Sequence, residues 1–189
     1  MDKKQVRAEI QKRIRALGAE LRAEKSRKVA ASFLALPEVK QARLVMAFVP
    51  MPDELDTVPI IESLLASGKR VAVPKVIPKD RTMLISEIRN LTTDLEPGYW
   101  GILEPRNPSP VKLEQIDVVC TPGRAFDREG NRLGRGGAYY DLFFSRPELR
   151  AVRVAVAFAE QVLDAVPHDQ DDRRVHILVT DEFVLRFEL

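Results

Sequence analysis

Between residues 130 and 141 the chain reads GNRLGRGGAYYD, with three glycines and an alanine in the five positions 134–138. Arg132 and Arg135 bracket the first of those glycines, and Asp141 closes the run. A stretch so poor in side chains lets backbone N–H groups come close to a ligand. After a strand and before a helix such groups favour an anion, phosphate above all, and arginines add forked donors for its oxygens. A tight loop with solvated arginines has the same composition, and neither GxGxxG nor GxxxxGK[ST] occurs here. Asp141 falls about one turn into the helix expected from Gly136 onward. It suits either the positive end of that helix or an oxygen ligand for Mg2+.

Two further groups of residues have chemical potential. Lys3 and Arg7 stand four apart, so on a helix they share a face beside the apolar positions Val6 and Ile10. Late in the chain, VPHDQDDRRVH (166–176) gathers carboxylates that could meet Asp141 if both loops leave the same edge of a sheet. A solvated turn would read the same way. His168 and His176 lack the spacing of a zinc site, GxSxG is absent, and the single cysteine, Cys120, excludes an intrachain disulfide or CxxC site.

These groups need elements to position them. Val6, Ile10, Ile14, Leu17 and Leu21 form one helical stripe, so residues 3–35 are expected as helix, broken near Gly18. Strands are expected at 43–49, 70–76, 82–88, 116–120, 152–159 and 176–180, the 82–88 strand antiparallel or at an edge. A helix over 58–68 should stop at Gly68, and 104–110 reads as an extended surface connection. This alternation predicts one α/β domain over 1–189: a mainly parallel sheet flanked by helices in a Rossmann-like three-layer arrangement, with an N-terminal helical segment. Thirty Lys and Arg against twenty-eight Asp and Glu leave a net charge of +2, too balanced for a nucleic-acid footprint. The charged N-terminus lacks a signal-peptide core and no apolar run approaches membrane-spanning length. A cytoplasmic monomer without membrane or nucleic-acid partners is expected.

The stretch TPGRAFDREGNRLGRGGAYYD (121–141) resembles the signature of the 5-formyltetrahydrofolate cyclo-ligases, or methenyltetrahydrofolate synthetases. The resemblance extends to the Lys-rich N-terminal helix, MPDELDT (51–57), WGILEP (100–105) and the 166–180 segment, in that order. It implies ATP- and Mg2+-dependent conversion of 5-formyltetrahydrofolate to 5,10-methenyltetrahydrofolate, with release of ADP and phosphate. By the same resemblance, Lys3, Lys4, Arg7 and the loop residues Arg132, Leu133, Gly134, Arg135, Gly136, Gly137, Ala138, Tyr139 and Tyr140 would bind ATP. Arg132, Arg135 and Tyr140 would be catalytic, the two arginines as phosphate clamps. Met51, Asp56, Trp100, Arg135 and Tyr139 would face the folate, and Asp141 and Asp172 would hold Mg2+. Asp56 also suits an N-cap for the 58–68 helix, and Trp100 a packing role at a turn. Two positions depart from the family pattern. Gly137-Ala138 stands where members usually carry a cationic or aromatic residue and then glycine, and His176 stands where many carry aspartate. Those departures leave room for a divergent relative that binds folate or nucleotide without turnover.

Overall fold

The computed structural model describes the whole chain, Met1 to Leu189. Its helices are α1 (Lys3–Leu17), α2 (Ala19–Ala35), α3 (Pro37–Gln41), α4 (Val58–Ala66) and α5 (Tyr139–Phe144). Seven strands form the main sheet: β1 (Leu44–Met46), β2 (Arg70–Ile77), β3 (Thr82–Ile88), β6 (Val118–Thr121), β9 (Val152–Val156), β11 (Ile177–Val179) and β12 (Val184–Arg186). The remaining strands make two small sheets, β4 (Leu95–Pro97) with β5 (Leu103–Pro105), and β7 (Ala125–Asp127) between β8 (Arg132–Leu133) and β10 (Val162–Leu163).

In the main sheet β2, β1, β6, β9 and β11 run parallel, and antiparallel β3 and β12 close the two edges. The sheet is buried on both faces because its central strands are apolar except at Thr121 of β6 and Arg153 of β9, and side chains alternate between the faces. Val45, Val71, Val118, Cys120 and Val154 pack with α1, α2 and α4. Leu44, Met46, Ala72 and Val119 face the other way, onto Phe143 and Phe144 of α5. The flank beyond that face therefore rests on one short helix and the small sheets.

The expected elements occur with informative differences. Gly18, at φ +76°, ends α1 and begins α2, and the break takes Leu21 off the stripe: Val6, Ile10 and Ile14 are buried while Leu21 is exposed. The strands expected at 43–49 and 152–159 end at Met46 and Val156, and beyond β1 Phe48 and Val49 line the cavity described below. Part of the 104–110 connection is hairpin, since Glu104 and Pro105 belong to β5. The short elements α3, β12 and the two small sheets carry too few residues to show a period. No helix is long and apolar enough to cross a membrane.

His176 is part of this framework. Its Nδ1 accepts the backbone N–H of Arg153 at 2.9 Å, while the His176 backbone N–H donates to the Arg153 carbonyl at 2.9 Å. Burial, and then the Arg153 charge, hold the imidazole pKa below its ordinary 6.5. The neutral ring is therefore the form that the fold favours. Its contribution to stability is complete above the unfolded value and is lost as pH falls from there toward the lower folded value, by up to about 1.4 kcal/mol for each unit separating the two. His176→Asn keeps an acceptor that does not titrate, so urea unfolding between about pH 7 and about pH 5 should show a flatter loss of stability than in the parent. Parallel loss in the two proteins would rule out the acceptor role.

Candidate active site

A cavity of about 430 Å³ opens at the edge of the sheet where the parallel strands end. Phe48 and Val49 follow β1, and Pro122 and Gly123 follow β6, so strand topology delivers these residues to it. Met51, Pro74, Val76, Met83, Trp100, Ile102 and Leu103 add apolar lining. Lys3, Arg7, the 132–141 segment, Asp169, Asp171 and Asp172 add charge and backbone.

The glycine-rich segment is launched by a hairpin rather than directly by the strand before it. Residues 128–131 turn between β7 and β8 around the buried Asp127 carboxylate, which accepts the N–H groups of Glu129 (3.0 Å) and Asn131 (2.9 Å) and the Asn131 side chain (2.9 Å). The helix then begins at Tyr139, later than Gly136, and has six residues. Its dipole contributes little, and the anion-binding potential lies in the loop itself. The N–H groups of residues 134–138 donate to no protein acceptor. Gly136 has φ +110°, and a Cβ there would sit 3.7 Å from the Arg7 guanidinium. Arg7 Nε in turn donates to the Gly134 carbonyl at 2.8 Å, which docks the start of α1 against the loop.

Arg132 does not stand free to grip a ligand. Its guanidinium is buried, donates to Asp141 Oδ1 at 2.8 Å, and lies over the rings of Tyr140 and Phe144. It holds a carboxylate in place. The N–H of Arg173 donates to the same Asp141 oxygen at 3.0 Å, which brings the 169–173 loop to Asp141. Asp172 Oδ2 accepts from Lys3 Nζ at 2.6 Å and from the Asp169 N–H at 2.8 Å, and Lys3 also reaches Asp169 at 2.6 Å. Burial alone would raise the Asp172 pKa, but the hydrogen bonds from Lys3 and the Asp169 N–H, together with the Lys3 and Arg132 charges, outweigh it and the carboxyl is held below its usual range. Asp141 Oδ2 and Asp172 Oδ1 remain without protein partners. No group of three His, Cys or carboxylate side chains is assembled. Two carboxylates with one open oxygen each fit Mg2+, which takes one or two carboxylates and completes its shell with water and substrate phosphates.

Tyr140 places its hydroxyl in a buried position without a partner. Burial, and then the Glu54 charge, push its ionisation well above the ordinary tyrosine value, so it is a hydrogen-bond donor and not a base. Trp100 lines the cavity more than half exposed, in a left-handed conformation (φ +57°) between Gly98 and Gly101, with its ring edge-on to Tyr139 at 6.5 Å.

Two expected residues lie outside the cavity. Lys4 is about 100° round the helix from Lys3 and is exposed. Asp56 is exposed too: its backbone N–H donates to Ser26 Oγ at 3.1 Å, and its carboxylate accepts the Val58 N–H at 3.0 Å, at the start of α4. The acid that reaches the cavity is Glu54. A turn, closed by the Glu54 N–H on the Met51 carbonyl at 2.9 Å, carries it there beside Met51. Arg135 bonds Glu54 Oε1 through Nε at 2.9 Å and Asp53 Oδ1 through Nη2 at 2.8 Å, and Arg124 takes Asp53 Oδ2 at 2.7 Å. Burial alone would raise the Asp53 pKa; the two arginines override it and hold the carboxyl down at about 2. Asp53, Glu54, Arg124 and Asp169 were not among the residues expected at the site. MPDELDT offered three acids, and only the turn decides which one faces inward.

The model of the 5-formyltetrahydrofolate cyclo-ligase family matches residues 1–181. The mouse 5-formyltetrahydrofolate cyclo-ligase is 31% identical over 187 residues, covering 92% of this chain and 90% of that protein. The Escherichia coli K12 protein of the same name is 32% identical, covering 90% and 96%. The solution structure of Aquifex aeolicus 5,10-methenyltetrahydrofolate synthetase superposes with a TM-score of 0.88 at 32% identity, covering 100% of this chain and 94% of that one.

Two substitutions test this geometry by stability. Removing one partner of a buried ion pair leaves the other charge uncompensated, so Arg132→Met should lower unfolding stability in urea by about 3 kcal/mol. A loss below about 1 kcal/mol would mean that the Arg132–Asp141 pair is not intact in solution. Ala138 caps α5 at φ +59°, a conformation that disfavours a side chain by roughly 1 kcal/mol. Ala138→Gly should therefore raise the thermal midpoint by a few degrees.

Proposed function

The chain belongs to the 5-formyltetrahydrofolate cyclo-ligase family and is an enzyme of that class; we propose that it activates the formyl group of 5-formyltetrahydrofolate with ATP, with Mg2+ required. The observation that carries the nucleotide half of this reading is the run of five consecutive unpartnered N–H groups, residues 134–138, in a loop that lines the cavity together with Lys3 and Arg7. Such a nest supplies convergent donors for phosphate oxygens. The folate half rests on the apolar lining around Met51 and Trp100 together with Glu54. A carboxylate can accept the paired N–H donors of the pterin's amino-pyrimidine edge, and the aromatic and thioether groups pad the ring.

In the proposed reaction the formyl oxygen attacks the γ-phosphorus, an O–P bond forms, and the bond to the β-phosphate oxygen breaks to release ADP. N10 then attacks the formyl carbon and gives up its proton, the carbon–oxygen bond breaks, and phosphate leaves. The protein's part is positioning and charge stabilisation. Lys3, Arg7 and the loop amides hold the phosphates, and Arg135 joins them as a mobile cation. Arg132 acts indirectly, by fixing Asp141. Tyr140, kept protonated, donates a hydrogen bond into the site. Asp141 and Asp172 would hold Mg2+, which supplies positive charge against the transferring phosphoryl group. We read the protein as a cytoplasmic monomer acting on these small molecules, and the near balance of its charges counts against a nucleic-acid partner.

Protein mixed with 5-formyltetrahydrofolate, ATP and Mg2+ should generate the absorbance of the methenyl product, and omission of ATP should abolish it. Asp141→Asn should slow turnover on the order of 100-fold, the scale of losing one electrostatic stabiliser of a transition state, with folate affinity near the parental value. Product formed at the same rate without ATP would overturn the activation step. An Asp141→Asn enzyme with undiminished turnover would remove that residue from the metal site.

A further inference from the structure

The loop carrying Met51 and Glu54 is tied to the phosphate loop by Arg135. Glu54 accepts from Arg135 Nε on Oε1 at 2.9 Å and from the Met51 N–H on Oε2 at 2.8 Å. Asp53 accepts from Arg135 Nη2 on Oδ1 at 2.8 Å and from Arg124 Nη2 on Oδ2 at 2.7 Å. Arg124 is an immobile anchor: it is buried, its N–H donates to the Leu133 carbonyl at 2.7 Å, and its carbonyl accepts from Gln161 Nε2 at 3.1 Å. Arg135 is the opposite, an exposed residue within a loop whose amides are free.

An amino-pyrimidine edge presents two parallel N–H donors, the same fork that a guanidinium presents. It therefore competes with Arg135 for Glu54. On the reading of the site given above, we propose that Arg135 switches between the two substrates. It rests on Asp53 and Glu54 in the empty site, and folate seated on Glu54 releases it toward the nucleotide's phosphates. Asp53, anchored by Arg124, is the positioning residue that sets how firmly Arg135 is retained. Folate and nucleotide then bind cooperatively, and the coupling factor is the same whichever is added first.

Calorimetric titration of a non-hydrolysable ATP analogue with Mg2+, with and without 5-formyltetrahydrofolate, measures that coupling. In the parent protein folate should tighten nucleotide binding about fivefold or more. Asp53→Asn keeps the shape and removes the charge, so nucleotide alone should bind several-fold tighter and the enhancement by folate should shrink toward one. Arg135→Gln, a check that does not depend on Asp53→Asn folding, should abolish the enhancement. A parent protein that binds both ligands independently, an Asp53→Asn protein with unchanged folate-free nucleotide affinity, or an Arg135→Gln protein that retains the enhancement would each overturn the switch. A parent that forms methenyl product without coupling overturns the switch alone, whereas one that binds neither ligand overturns the functional reading as well.

Discussion

Asp127 is almost completely buried, and its carboxylate accepts from the Glu129 and Asn131 N–H groups, the Asn131 side chain and the Val166 N–H. A buried carboxylate is tolerable only when its oxygens are satisfied, so these four donors are held tightly to one another. The first three shape the turn from which β8 and the glycine-rich loop depart. The fourth fixes the chain three residues before Asp169, where the acidic loop begins. One carboxylate thus registers the free amides of residues 134–138 and the acids of 169–172 to a common point. The hydrogen bond from the Arg173 N–H to Asp141 completes that registration at the cavity itself.

The third charged segment, the start of α1, arrives from 127 positions away in sequence. Magnitudes show what seats it. The Lys3 pairs with Asp169 and Asp172 are partly exposed, and such pairs contribute at most about 1 kcal/mol each. Val6, Ile10 and Ile14 are buried completely or nearly so, each worth roughly 2 kcal/mol, so the apolar stripe holds the helix. The capping box between Asp2 and Gln5 secures its first turn. Lys3 and Arg7 are then free to serve the cavity, at no risk to the docking of the helix when a ligand changes their partners.

The parts of this arrangement legible in the sequence are those governed by a local period or a specific motif. The α1 stripe, the parallel strands and the antiparallel 82–88 strand follow from alternation and spacing, and the glycine loop follows from its composition. The charge network was hidden because it depends on which side chain meets which across the fold. Asp53, Glu54 and Asp56 are similar acids within four positions, and a single turn sends the middle one into the cavity and Asp56 back to α4. Arg132 and Arg135 are equally plausible phosphate ligands as letters. The neighbouring Asp141, Tyr140 and Phe144 bury the first, whereas the second sits in an exposed loop and pairs with Asp53 and Glu54.

The residues at positions 137 and 138 become intelligible in the same terms. A Cβ at Gly137 would lie 2.8 to 2.9 Å from the Tyr139 ring, so any side chain there would drive that ring away. Its absence lets Tyr139 fold back over the loop and meet Trp100 edge-on. Positive charge lines the cavity on Lys3 and Arg7 of α1 and on Arg135 of the loop. Ala138 bears its strain at an exposed position, where the methyl group meets solvent and leaves the loop amides open. Glycine at position 137 thus permits a close aromatic contact beside the cavity, and the unpartnered amides of the loop belong to its backbone and not to a side chain at that position.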